Sequence, residues 1–292
     1  MKKAAFYTLG CKVNQYETEA MAELFADSGY EIKEFTEVAD VYVINTCSVT
    51  NMGDRKSRQI IRRAKKLNPN AVIAVTGCYA QTAPDEVLAI EGVNLVLGTK
   101  DRKNIVTLVE ELNTESNINH VSDIMSNHEF EELQIKQYSN RTRAFIKIQE
   151  GCNQFCSYCI IPYARGPVRS RAKDDVVREI KELAHNGFKE IILVGIHVAS
   201  YGVDLGDTTL ESLIMDVDKI DGVERIRLSS IEPMTLNQEF IDSIKDSKKL
   251  CHHFHISLQS GCDETLKRMN RKYTTAQFKG IVDGLREAFD DV

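Results

Sequence analysis

The 292-residue sequence lacks tryptophan, an internal repeat, and any apolar run near the roughly 18 residues of a membrane helix. The last absence excludes a helical membrane span; the first carries no argument. Met1-Lys2-Lys3 passes straight into a strand-like stretch, without the apolar core and small-residue cleavage site of a signal peptide, so the cytoplasm is the expected compartment. A surplus of positive charge is also missing: 37 Lys and Arg face 43 Asp and Glu, for a net charge of −6. That balance argues against a dedicated nucleic-acid-binding domain, although it averages over local patches. Apolar content of 42% and charged content of 27% are those of a globular protein, with length enough for two cores.

Apolar strands are expected at 3–10, 41–46, 71–77 and 93–98, separated by helices at 18–28, 55–67 and 104–112. This alternation predicts α/β architecture with a parallel sheet covered on both faces. Residues 1–113 form that first domain, and the polar stretch 114–140 reads as a linker. Alternation resumes over 141–292, with strands at 143–149, 190–194, 225–229 and 253–258 and helices at 174–186, 210–219, 237–246 and 275–288. Four βα units are too few to close a barrel of eight.

Eight cysteines in a reducing compartment suggest metal or catalysis rather than disulfides. Cys152, Cys156 and Cys159 form a C-x3-C-x2-C run. Three thiolates on one tight loop can hold three irons of a [4Fe–4S] cube and leave the fourth iron open. A zinc site would need a fourth ligand nearby, and the next Cys or His after Cys159 is His185. A redox pair of Cys156 and Cys159 leaves Cys152 unexplained. The second set is dispersed: Cys11, Cys47 and Cys78 each follow an expected strand. Carboxyl ends of parallel strands share one edge, where ligands bind, so three thiols could converge there; three buried structural cysteines are the plain alternative. Cys251 and Cys262 show no such pattern and read as structural. His197, His252, His253 and His255 read as core or surface residues rather than ligands.

The segment GCNQFCSYCIIPYARGPVRSR (151–171) resembles the cluster loop of radical-SAM methylthiotransferases, and TLGCKVNQYETE, NTCSVT and GCYAQ resemble that family's three N-terminal cysteine motifs. SSIEP and HISLQSGCDETLKRMNRKYT resemble its later barrel segments. GCKVNQYE, GCYAQ and ARGPVRSR look most like the branch acting on N6-threonylcarbamoyladenosine at tRNA position 37. The resemblance implies a flavodoxin-like N-terminal methylthiotransferase domain followed by an incomplete radical-SAM partial (βα)6 barrel. It implies two [4Fe–4S] clusters and S-adenosylmethionine: Cys152, Cys156 and Cys159 would hold the cluster that cleaves the cofactor to a 5′-deoxyadenosyl radical. Cys11, Cys47 and Cys78 would hold an auxiliary cluster that delivers methylthio to C2 of the adenine. Partners would be tRNA and a low-potential electron donor, with no membrane.

Gly195, after the second barrel strand, lies where similar enzymes let backbone approach the cofactor; a tight turn explains it equally well. Phe155 and Tyr158, between the cysteines, fit either cluster contact or loop packing. Arg165, Arg169 and Arg171 are candidate tRNA-binding residues, and 55–66 holds seven basic residues and no acid, which fits tRNA or a solvated face. The family usually continues through two more barrel strands and a small tRNA-binding β domain, so this chain is expected to assemble clusters but to be weak or inactive on tRNA. Its strand 253–258 would then present an unpaired edge. The competing readings are methylthiotransferases for isopentenyladenosine or a ribosomal-protein aspartate, and a non-catalytic iron–sulfur electron carrier or sensor.

Overall fold

A computed structural model describes residues 1–112, 115–135 and 142–292. The chain divides into two compact units, the first of residues 1–135 with 160–167 and the second of the remainder.

The first unit runs β1 (Lys3–Thr8), α1 (Lys12–Asp27), β2 (Glu31–Lys33), β3 (Val41–Thr46), α2 (Asn51–Leu67), β4 (Val72–Gly77), α3 (Cys78–Thr82), α4 (Pro84–Leu88), β5 (Leu95–Leu97), α5 (Ile105–Glu110) and β6 (Ile118–His120). The strands form one parallel sheet in the order β2-β1-β3-β4-β5-β6. Every residue of β3 is buried, as a central parallel strand requires. Alternate residues serve opposite cores: Tyr42, Ile44, Ile73 and Val75 pack with Ile61 and Ala64 of α2, while Val41, Val43 and Ala74 pack with Met21 and Phe25 of α1. Strand order reverses between β1 and β3, the switch point where open α/β sheets hold ligands.

Two local expectations change in this unit. Helix α1 starts at Lys12 rather than near 18, because its N-cap is Cys11, which makes no side-chain cap bond and so leaves no capping signal to read. The stretch expected as a linker is described over 115–135. There it supplies β6, paired in parallel with β5, and buried Ile124, Leu133 and Ile135. The hydroxyl of Tyr16 donates to the Leu133 carbonyl, which ties this polar segment down. Residues 114 and 136–140 of that stretch lie outside the described residues.

Within the first unit there is also α6 (Ile161–Arg165). The second unit runs β7 (Arg143–Glu150), β8 (Arg169–Ser170), α7 (Lys173–His185), β9 (Glu190–Gly195), α8 (Leu210–Asp218), β10 (Arg225–Leu228), α9 (Gln238–Ile244), α10 (Asp263–Arg268) and α11 (Thr275–Ala288). Its sheet order is β10-β9-β7-β8, with β7, β9 and β10 parallel and β8 antiparallel to β7. This is the incomplete partial barrel of the expected α/β class. The fourth strand expected at 253–258 is not formed; a single bridge joins Ile231 to Ile256. The cause is local. The amides of His253, Leu258 and Ser260 donate to carbonyls two residues back, and Tyr273 donates to the carbonyls of Ser257 and Leu258. Those groups are withdrawn from any ladder.

Candidate iron–sulfur sites

Cys11, Cys47 and Cys78 lie at the carboxyl edge of the first sheet, after β1, β3 and β4. Gly10, at φ +110°, lets the first loop press against the third-strand cysteine: a Cβ there would stand 2.9 Å from Cys47 Cβ and 3.1 Å from its Sγ. Gly77, at φ +96°, is closer still, its missing Cβ only 2.4 Å from Asn45 Oδ1 and the Thr46 carbonyl. The edge is tied together by buried polar side chains. Asn14 Nδ2 donates to the carbonyls of Leu9 (2.7 Å) and Thr46 (2.9 Å), and Thr46 Oγ1 donates to the Thr76 carbonyl at 2.6 Å.

Behind the thiols sits Arg165, fully buried. Its Nε donates to Cys78 Sγ at 3.3 Å, Nη1 pairs with Glu17 Oε1 at 2.5 Å, and Nη2 reaches Asn14 Oδ1 at 2.6 Å. Glu17 also pairs with Arg102 at 2.5 Å, and Arg102 with Glu131 at 2.8 Å. Burial pushes the Cys78 and Cys47 thiols up and Cys11 adds to the rise, while Arg165 pulls both down. Burial thus makes Cys47 and Cys78 resist ionising, and Arg165 supplies part of the positive field that their thiolates need.

In the second unit, Gly151 (φ +77°) turns the chain out of β7 into Cys152, and Phe155 holds φ +47°, a left-handed conformation unusual for an aromatic. The amide of Cys159 donates to the Cys156 carbonyl at 3.0 Å. The segment after α10 clamps the loop from outside: Ser157 donates to the Met269 carbonyl, and Asn270 Nδ2 to the Phe155 carbonyl at 2.9 Å. Arg271 Nη1 donates to Cys156 Sγ at 3.2 Å and Nη2 to Glu232 Oε2 at 2.5 Å. Burial and the other two thiols push Cys152 up to about 11. His197 stands 4.0 Å from Glu232, and burial with the nearby Arg271 charge lowers it to about 4, so its ring is neutral. Gly195 is explained by packing, since its Cβ would meet Gln149 Oε1 at 2.9 Å. Gln149 in turn accepts from the His197 amide at 2.7 Å.

The three arginines expected to contact tRNA are corrected. Arg165 is locked to Glu17 and Asn14, Arg171 pairs with Glu179, and Arg169 is 1% exposed. Buried guanidinia cannot reach a phosphate. Tyr158 is exposed, as is Phe155, so neither ring is packed into a core. Sequence reasoning missed Asn14, Glu17, Arg102, Glu232 and Arg271. Asn14, Glu17, Glu232 and Arg271 stand inside the quoted motifs, which was the available signal.

All eight cysteines are free. Among the described residues no three His, Cys, Asp or Glu side chains converge on a point as ligands of one metal ion do. Among the described residues the buried polar atoms His197 Nε2 and Arg271 Nε have no hydrogen-bond partner, so the surroundings of Cys152 and Cys156 fit a polar cofactor.

Over residues 3–98 the chain matches the uncharacterized protein family UPF0004, and over 146–292 the radical SAM superfamily. It is 50% identical to threonylcarbamoyladenosine tRNA methylthiotransferase MtaB of Bacillus subtilis, over 99% of this chain and 64% of that protein. To the protein of the same name from Aquifex aeolicus it is 42% identical, over 98% of this chain and 70% of that protein. The radical S-adenosylmethionine methyltransferase TsrM of Kitasatospora setae shares the fold, with a TM-score of 0.68 at 16% identity over 99% of this chain and 66% of that one. The chain belongs to the radical SAM superfamily and, within it, to the methylthiotransferase family of these relatives. Radical SAM proteins use S-adenosylmethionine and an iron–sulfur cluster. The chain spans about 64% of the length of its Bacillus subtilis relative.

Proposed function

We propose that the chain is a tRNA methylthiotransferase that adds methylthio to C2 of N6-threonylcarbamoyladenosine at position 37 in the cytoplasm, drawing on a low-potential electron donor. The observation that carries this reading is the pair of three-cysteine sets, each with one thiol held by a buried or half-buried arginine: Cys78 by Arg165 and Cys156 by Arg271. Cys152, Cys156 and Cys159 would hold one [4Fe–4S] cluster and Cys11, Cys47 and Cys78 the other. When bound, these groups supply reductive cleavage of S-adenosylmethionine and a carrier for methylthio. The chain's own residues bind and orient. Arg271 is fixed between Cys156 and Glu232, so its guanidinium stays aimed at the sulfur. The neutral His197 ring leaves Nε2 available for a hydrogen bond to the cofactor. Asn14 fixes the carbonyls of Leu9 and Thr46, and thereby the loops that carry Cys11 and Cys47.

The test is to load the chain with iron and sulfide anaerobically and supply reductant, S-adenosylmethionine and tRNA bearing either N6-threonylcarbamoyladenosine or isopentenyladenosine. 5′-Deoxyadenosine is expected in both reactions, and methylthiolated nucleoside, at whatever low yield this chain gives, only in the first. Methylthiolation confined to the isopentenyl substrate, or to a ribosomal protein, contradicts the substrate reading.

A further inference from the structure

Helix α2 carries a charge pattern that chemistry at the cysteines does not use. It holds seven Lys or Arg against a single acid, Asp54, in a chain of net charge −6. Six of the cations, Arg55, Lys56, Arg58, Arg62, Arg63 and Lys66, line one open groove of about 770 Å³. Arg58, Arg62 and Lys66 follow one another at i, i+4 spacing, where like charges destabilise a helix. Lys65 and Lys66 complement the negative end of the helix dipole, but Arg55, Arg58 and Arg62 have no such compensation.

An ordinary solvated face mixes signs, and this protein does so elsewhere: Lys33, Lys173, Lys189 and Arg225 all pair with carboxylates. None of the six groove cations forms an ion pair among the described residues. Arg58 donates to the Tyr79 hydroxyl at 2.9 Å, and Arg63 lies over the Phe35 ring at 6.0 Å. Asp54 and Glu86 offset part of the Arg58 charge, and the other five cations face no carboxylate within ion-pair distance among the described residues.

We infer that this groove is a docking surface for the phosphate backbone of RNA, engaged by the tRNA of the proposed reaction, on which reading the inference rests. Arg55 to Lys66 spans about 16 Å along the axis, and a nucleic-acid duplex presents on the order of one charge per 2 Å. Four of the six cations are arginines, whose planar fork matches phosphate oxygens in pairs. A concave groove with charge of one sign concentrates a polyanion and raises its association rate.

The experiment measures binding of a fluorescently labelled tRNA anticodon stem-loop by the full chain across a salt series. Wild type is compared with the triple variant Arg62→Gln/Arg63→Gln/Lys66→Gln and the double variant Arg55→Gln/Lys56→Gln. The triple variant is expected to bind about tenfold more weakly, with the slope of log affinity against log salt reduced by about two to three. The double variant should lose roughly one to two from the same slope. Circular dichroism of both variants establishes that α2 is retained. Iron content and S-adenosylmethionine cleavage on the same samples read the proposed function separately, since neither needs RNA. Unchanged affinity and slope in both variants overturns the inference. So does an absence of RNA binding by wild type.

Discussion

Replacing Arg165 by methionine keeps length and apolar volume but removes a charge buried among Glu17, Asn14 and Cys78. Taking one partner from a buried ion pair costs about 3–5 kcal/mol, because the other charge stays desolvated. Glu17 would retain Arg102 at 2.5 Å, which places the cost at the low end, about 3 kcal/mol. At 2–4 °C per kcal/mol for a chain of this size, the melting temperature should fall by roughly 6–12 °C. The assay is calorimetry of the reduced, metal-free chain, so that cluster loss does not contribute. Arg165→Lys should recover only part of the loss, since one ammonium cannot serve Glu17, Asn14 and Cys78 together. Adding Glu17→Gln to Arg165→Met removes the stranded charge, so the two losses should be strongly non-additive. A fall below about 2 °C, or additive losses, would refute the buried network.

Three further outcomes follow from other residues. His197 is held near pH 4 against an unfolded value of about 6.5. The folded state therefore binds fewer protons between these values, and stability from this group is full above about 6.5 and lost as pH falls toward 4. The effect is roughly 3 kcal/mol at most, and the difference in urea midpoint between His197→Asn and wild type should change across that window; a constant difference contradicts it. Gly77→Ala places a methyl 2.4 Å from Asn45 Oδ1 and the Thr46 carbonyl at a positive φ. It should cost at least about 2 kcal/mol, read as a lower denaturant midpoint. Asn14→Ala strips the Leu9 and Thr46 carbonyls of a donor and should cost about 2–3 kcal/mol, again by denaturant midpoint.

Much of the architecture was legible because strand and helix periods differ and β3 and β4 are apolar runs. The placement of Cys11, Cys47 and Cys78 at one sheet edge followed from the same pattern, since parallel strands put their carboxyl ends together. What escaped was long-range. Arg165 lies 148 residues from Glu17, and nothing in its neighbourhood separates a buried arginine from a phosphate-binding one. The absence of a capping side chain hid the first six residues of α1, and with them the significance of Asn14 and Glu17. The apolar stretch near 253–258 looked like a strand, yet its amides are spent on turns two residues long, which no side-chain pattern reports.

The central claim is that two separate three-cysteine sets each hold a [4Fe–4S] cluster. Iron and sulfide should be measured after anaerobic loading of wild type, the Cys11/Cys47/Cys78→Ala variant and the Cys152/Cys156/Cys159→Ala variant. The account predicts about eight irons per chain, falling to about four in either variant, with distinct paramagnetic resonance signals for the two remaining clusters. About four irons in wild type, with none lost from the Cys11/Cys47/Cys78→Ala variant, would contradict the second cluster and methylthio transfer with it.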